Sequence, residues 1–432
     1  MALIERLVLP EILDALTVAR VVAIVGARQV GKSTLARQIA ESNMRASVVT
    51  LDDAATRAAA AADPTGFIAS LSRPVMIDEV QRVPDLLLAI KAAVDVENRP
   101  GQFLLTGSAD LRTLPTVADA LPGRVEYVDL WPLSESELAG TRETIHDDLE
   151  HGQPPLFERP TVGLGDLPIR IARGGFPAIL DRTERQRARF FRSYLTAMLA
   201  REISETTALR NPESIVPLLR LLGARTGDLV NHASLRPELG LDDKTIRTYI
   251  DALERLFLVV RLPAWRSNLG HRIVKAAKLH IADPGLAAHL IGADTSRIGH
   301  DPQLAGRLLE TLVVCELGRQ VGWARTRPTL HHYRDDQQRE IDVVIEWPDG
   351  SVAGVEVKSS ATVREKDFRT LRYVQQKLGS RFKCGVILYT GERTLPFGPS
   401  LWAVPVDVLW AARPRPVRPI VVSPASGGRR RR

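Results

Sequence analysis

The chain of 432 residues has only two cysteines, Cys315 and Cys384, and they match no metal-ligand spacing. A disulfide framework and a zinc finger are thereby excluded, and the pair is expected as buried thiols in a reducing cytosol. Long apolar runs are lacking too. No stretch approaches bilayer-spanning length, and residues 1–16 carry Glu5, Glu11 and Asp14 where a signal peptide would have a basic head and an apolar stretch. The expectation is a cytoplasmic protein without a membrane partner. Nine histidines form no H-x3-H, H-E-x-x-H or Cys/His pattern, and no serine or cysteine nucleophile elbow occurs.

A charge excess in the body is also missing. The net charge of +7 suggests a nucleic-acid binder until it is located. Seven arginines and no acid fall after Ala412, and without them 51 basic residues face 51 acidic ones. The excess therefore lies in a Pro/Ser/Gly-rich tail, residues 413–432, expected to be disordered. Such a tail adds non-specific phosphate affinity or only solubility. The 44% apolar share is ordinary for a globular protein, and this length holds two to four domains.

What is present begins with Gly26-Ala27-Arg28-Gln29-Val30-Gly31-Lys32-Ser33, a G-x-x-x-x-G-K-[ST] string. Five apolar residues, Val21 to Val25, read as a buried strand before it, and Thr34 to Ala40 as a helix after it. Glycine lets backbone N–H groups turn inward around phosphate oxygens, and the helix N-terminus adds a positive dipole end. Residues Gly26 to Thr34 are thus candidates for nucleotide contact, with the Arg28 side chain read as solvated. Lys32 would reach the β- and γ-phosphates of ATP, and the Ser33 hydroxyl would hold Mg²⁺.

Pro74-Val75-Met76-Ile77-Asp78-Glu79 reads as a strand ending in two carboxylates. Asp78 would hold Mg²⁺ through water, and Glu79 would polarise the attacking water. A second strand, Val48 to Asp53, precedes it. Phe103 to Ser108 is a further apolar strand, whose Thr106 or Ser108 either senses the γ-phosphate or merely ends the strand in a turn. A helix is expected over Leu111–Leu121, then a strand over Val125–Leu130. Arg124, just before that strand, is either an arginine finger offered to a neighbouring subunit's ATP or a solvated turn residue.

These motifs resemble the AAA+-like ATPases that carry an AAA_14 domain followed by a DUF4143 domain. The resemblance rests on the P-loop, Leu51-Asp52-Asp53, Ile77 to Pro84, Leu104 to Ser108, Trp131-Pro132-Leu133-Ser134 and Gly174-Gly175-Phe176-Pro177. It implies an α/β P-loop core with a parallel sheet, a hydrolysing enzyme and a capacity to oligomerise. Thr141 to Leu167 fits no motif and reads as a variable connector.

Arg185–Glu205 reads as a long helix whose Phe190, Phe191, Tyr194, Leu195, Met198 and Leu199 pack a core. Ser214–Ala224, Ala233–Leu239 and Asp243–Leu256 then form a helix-turn-helix pattern, with Gly240 at the turn, Asp242 as cap and a wing strand over Leu258–Leu262. The third helix offers Lys244, Thr245, Arg247 and Thr248 to phosphates or bases, but Asp243, Asp251 and Glu254 would repel them. A winged helix there serves either DNA or a protein partner.

In the last third, two strands flank Trp347-Pro348-Asp349-Gly350-Ser351, and a hairpin centred on Asp349 sets Asp342 across from Glu356 and Lys358 across from Glu340. Alternation puts Asp342, Glu356 and Lys358 on one face, where two carboxylates call for a cation such as Mg²⁺. Lys358 would position the attacking water. This D-x13-E-x-K pattern resembles the PD-(D/E)xK nucleases. The resemblance implies an added metal ligand on a preceding helix, for which Glu310 fits, and a helix Lys366–Leu378 followed by a strand Gly385–Tyr389. A site that binds without cutting stays open beside cleavage.

The expected organisation is an ATPase domain over 1–135, a connector over 136–170, a helical and winged-helix region over 171–300, a restriction-endonuclease-like α/β domain over 301–412, and the basic tail over 413–432.

Overall fold

The computed structural model describes residues 3–108, 111–113, 123–142, 144–156, 166–206, 212–265 and 276–411. The basic tail and residues 114–121 of the helix expected over 111–121 lie outside the described residues; Leu111–Thr113, which is described, forms a 3₁₀ turn.

Five parallel strands build the first sheet: β1 (Val21–Val25), β2 (Ser47–Thr50), β3 (Val75–Asp78), β4 (Phe103–Gly107) and β5 (Val125–Asp129), in the order β2-β3-β4-β1-β5. β1, β3 and β4 are buried at every residue. Their unbroken apolar runs are what a parallel sheet covered on both faces demands. β4 is inserted between β1 and β3. The P-loop, Asp78 and Thr106 therefore meet at the carboxyl edge of adjacent strands, where open α/β sheets bind ligands.

The middle is helical. Phe191, Tyr194, Leu195 and Met198 of the helix Glu184–Thr206 are buried. Ile215–Ala224, His232–Leu239 and Asp243–Arg255 follow, then an antiparallel pair, β6 (Val259–Leu262) and β7 (Lys278–Ile281). Asp242 caps the third helix through Thr245 N at 2.9 Å, and Gly240 takes the left-handed turn.

The C-terminal sheet has six strands: β8 (Thr329–Arg334), β9 (Glu340–Glu346), β10 (Val352–Lys358), β11 (Phe382–Tyr389), β12 (Leu395–Pro396) and β13 (Leu401–Pro405), in the order β12-β13-β11-β10-β9-β8. The helix Pro302–Gln320 precedes it and packs on β10. β9 and β10 pair from Val352↔Glu346 to Val355↔Val343, the register of a turn centred on Asp349.

The parts share one core. A continuous apolar cluster runs from Ile12 and Leu105 through Phe176 and Leu253 to Leu312, Val355 and Trp410. The expected connector also contributes. Its helix Ile145–Glu150 buries Ile145, His146 and Leu149, and His146 Nε2 lies 2.9 Å from Leu317 O. Polar composition concealed an apolar stripe only six residues long.

Candidate functional site

The loop after β1 owes its shape to two glycines. A Cβ on Gly26 would lie 2.1 Å from Leu130 O, and Gly31 has φ +100°, where L side chains are strained. Lys32 is buried, and its Nζ donates to Gly26 O at 2.9 Å and Ala27 O at 2.7 Å. The ammonium is thus held inside the curl of the loop. Ser33 Oγ donates to Asp78 Oδ1 at 2.7 Å, across 45 residues. Two hard oxygen donors side by side at a phosphate cradle fit Mg²⁺.

Of the two proposed sensors, Thr106 ties the second carboxylate strand together. Its hydroxyl donates to Asp78 Oδ1 and accepts from Glu79 N at 3.1 Å. Ser108 instead reaches Glu79 Oε2 at 3.5 Å and accepts from Gln81 Nε2 at 2.9 Å. Gln81 donates in turn to Glu79 Oε2 at 2.6 Å. Glu79 has φ 58° and ψ 44°, a left-handed conformation that costs a non-glycine residue about 1 kcal/mol or more. Backbone strain and two polar neighbours therefore aim this carboxylate. Arg28, Gln29, Lys32, Thr34, Asp52 and Arg82 line the adjoining cavity, and Arg82 pairs with Asp52. Sequence reasoning missed Gln81 and Arg82, although both lie directly behind the Asp-Glu pair.

Arg124 lies at the opposite end of the sheet, since Val125 pairs with Val21 at the start of β1. It cannot reach the P-loop of its own chain. Its guanidinium binds Asp95 at 2.6 and 3.0 Å.

Arg6, which no motif marks, joins the P-loop to the segment after β5. It donates to Val30 O at 2.8 Å, Trp131 O at 2.7 Å and Glu137 Oε1 at 2.9 Å. Glu137 closes a capping box with Ser134. The next turn carries a buried ion network. Glu135 pairs with Arg170 and Arg173, and its N–H donates to Glu316 Oε2 at 3.0 Å. Arg319 binds Glu316 at 2.8 Å, Leu133 O at 3.1 Å and Asp283 at 3.5 Å. Asp283 accepts from Gly175 N at 2.8 Å. A Cβ on Gly175 would lie 2.1 Å from Leu133 O. The Trp131–Ser134 and Gly174–Pro177 motifs thus meet each other and the helix Pro302–Gln320. Burial pushes Glu316 up to about 7 despite Arg319, and raises Asp283 as well.

In the C-terminal sheet the β9–β10 ladder ends at Val343↔Val355. There the Asp342 carboxylate accepts from Val357 N at 2.9 Å. Lys358 lies 3.5 Å from Glu356. Burial and the nearby Asp342 push Glu356 up to about 8 despite Lys358. Glu310 sits on the preceding helix, also pushed to about 8 by burial and Asp342. Lys278 of β7, missed by sequence reasoning, stands among these groups, 2.8 Å from Glu310, 2.7 Å from Glu340 and 3.1 Å from Asp342. Burial disfavours its ammonium, but Asp342, Glu310 and Glu340 outweigh that and raise its pKa. Among the described residues no group of three or more His, Cys, Asp or Glu is arranged to hold a metal ion.

On the third helix, Arg261 of β6 binds Asp251 at 2.7 Å and Glu254 at 2.9 Å, and Arg236 lies 3.7 Å from Asp243. The three acids are thus partnered from within, and Lys244 and Arg247 are exposed.

Comparison with known proteins matches an AAA domain to residues 18–139, a domain of unknown function (DUF8612) to residues 165–297 and another (DUF4143) to residues 305–409. The chain is 30% identical over 397 residues to the uncharacterized protein Mb2031c of Mycobacterium bovis, covering 91% of this chain and 81% of that one. The uncharacterized protein Rv2008c of Mycobacterium tuberculosis gives the same values. An uncharacterized protein of Haemophilus influenzae is 22% identical over 253 residues, 57% of each chain. Among solved structures, the Walker-type ATPase paby2304 of Pyrococcus abyssi aligns with a TM-score of 0.43 and 14% identity, over 66% of this chain and 94% of that one.

Proposed function

Since the chain belongs to the family of Mb2031c and Rv2008c and carries an AAA domain ahead of a DUF4143 domain, we propose that it is an ATP-hydrolysing switch whose nucleotide state governs the hold of its helical region on a macromolecular partner. The observation that carries the reading is the convergence of Lys32, Ser33, Asp78 and Glu79 at one sheet edge.

The P-loop N–H groups and Lys32 bind the phosphates. Ser33 and Asp78 would hold Mg²⁺, which when bound supplies positive charge to the phosphate oxygens. Glu79, aimed by Gln81 and Ser108, takes the proton of the attacking water. A finger role for Arg124 is open only toward a neighbouring copy, since it lies away from its own P-loop, with its guanidinium bound to Asp95. The helices Ile215–Ala224 to Asp243–Arg255 with β6 and β7 act as a winged helix, and the internal pairing of Asp251 and Glu254 supports contact between Lys244, Arg247 and nucleic acid.

The test is nucleotide binding and phosphate release. Lys32→Ala weakens ATP binding by roughly two orders of magnitude. Glu79→Gln keeps binding and lowers turnover about a hundredfold. Unchanged turnover in Glu79→Gln sinks the assignment.

A second reading, metal-dependent cleavage of nucleic acid by the C-terminal domain, is favoured by the shared neighbourhood of Asp342, Glu356 and Lys358. Labelled DNA and RNA incubated with Mg²⁺ or Mn²⁺, with and without ATP, decide it. Cutting that persists in Lys358→Ala belongs to a contaminant.

A further inference from the structure

We propose that Lys278 is a resident counter-ion: its ammonium takes the cation position among Glu310, Glu340 and Asp342 and keeps divalent metal out of this carboxylate cluster. The inference concerns Lys278 of β7 and the carboxylates of Pro302–Gln320 and β9; it does not rest on the nucleotide reading, and it stands against metal-dependent cleavage at this cluster. A chain that failed to hydrolyse ATP would leave it standing.

The first argument is valence. An ammonium has three protons and no acceptor. Nζ donates to Glu310 Oε1 at 2.8 Å and to Asp342 Oδ1 at 3.1 Å, and forms an ion pair with Glu340 Oε1 at 2.7 Å. The other Asp342 oxygen is engaged by Val357 N at 2.9 Å. Asp342, the residue expected to anchor a metal, thus has the ammonium on one oxygen and a backbone N–H on the other.

The second argument is fixity. The Lys278 side chain is 3% exposed, and its strand is tied on both sides. Leu262 pairs with Lys278 across the β6–β7 ladder. On the other flank Val230 N donates to Ala277 O at 2.8 Å, and Gly227 N to Leu279 O at 2.8 Å. Gly227 has φ +87°, and a Cβ there would lie 3.3 Å from Glu310 Oε1, so this turn lies close over the cluster. The ammonium is thus carried by a strand that packs on Pro302–Gln320.

The third argument is energetic. A lone lysine buried this deeply is costly, and a buried carboxylate cluster without a cation is costly too. Each offsets the other. Removing the lysine leaves clustered carboxylate oxygens, the hard donors that Mg²⁺ and Mn²⁺ take. The nuclease-like face is therefore neutralised from the helical region rather than by a metal.

The test is Mn²⁺ titration of the nucleotide-free full-length chain, read from the paramagnetic resonance of free Mn²⁺. Wild type and Asp342→Asn are expected to give superposable isotherms. Lys278→Met is expected to gain one further Mn²⁺, bound on the order of tenfold or more tightly than any wild-type site, and Lys278→Met/Asp342→Asn to lose it. A wild-type uptake that falls in Asp342→Asn overturns the proposal. So does a Lys278→Met chain with wild-type circular dichroism that gains no Mn²⁺. If Lys278→Met does not fold, wild type against Glu310→Gln decides: superposable isotherms support the proposal and a drop overturns it.

Discussion

Arg6 donates to the carbonyl oxygen of Val30 at 2.8 Å, so the phosphate-binding loop is held from outside by a side chain 24 residues earlier. The same guanidinium satisfies Glu137, whose side chain is 3% exposed. Truncating one partner of a buried charge pair leaves the other uncompensated. Arg6→Ala is expected to cost roughly 3 kcal/mol of unfolding free energy and to loosen the P-loop. Denaturant unfolding and ATP titration measure both. Wild-type values for both would show that the contact does not brace the loop.

Gln81 offers a subtler test. It touches Glu79 and Ser108 rather than the phosphate cradle. Gln81→Leu should leave ATP affinity near wild type and lower turnover by about tenfold, a barrier change of about 1.4 kcal/mol. Equal effects on affinity and turnover would mean that Gln81 supports the fold and does not aim Glu79.

Gly175 sits where two motifs cross. Its missing Cβ makes room for Leu133 O, which a methyl group would meet at 2.1 Å. Backbone cannot yield as a side chain does. Gly175→Ala is expected to destabilise the chain by about 3 kcal/mol or more, whereas Gly318→Ala, with nothing within 4 Å, is expected to be tolerated. Thermal unfolding of the two variants side by side distinguishes them.

His146 makes stability depend on acidity. Burial pushes its pKa down to about 4, against 6.5 for the free side chain. The unfolded chain therefore takes up a proton between these values and the folded chain does not. This contribution to stability is full above about pH 6.5 and is lost as pH falls toward 4, on the order of 3 kcal/mol. His280, held near 3 by burial, adds in the same direction. Glu356 works oppositely: raised to about 8, it stabilises least once pH has risen through that value. His146→Gln should flatten the acid limb of the stability profile. An unchanged limb would place the acid sensitivity elsewhere.

Exposed Lys244 and Arg247 lead to a salt experiment. If they contact phosphates, Lys244→Ala/Arg247→Ala reduces the slope of log affinity against log salt by about 2. An unaltered slope would point the helical region to a protein partner.

Local chemistry made much of this molecule legible before folding. The P-loop announces itself because glycine spacing, an apolar strand and a helix start are neighbours in sequence. The β9–β10 register follows from turn residues around Asp349, and the third helix from its apolar period and the Asp242 cap. Each signal lies within about one turn or one hairpin, where backbone geometry alone sets which residues meet. The pairing of Lys278 with Asp342, 64 residues apart, carries no such signal. Neither does Arg6 with Val30, nor Glu135 with Glu316, 181 residues apart. A single charged residue has no periodicity, and this chain has 58 lysines and arginines to choose from. Which of them is buried, and beside which partner, was decided only when distant segments packed together and removed the water that would otherwise have solvated both.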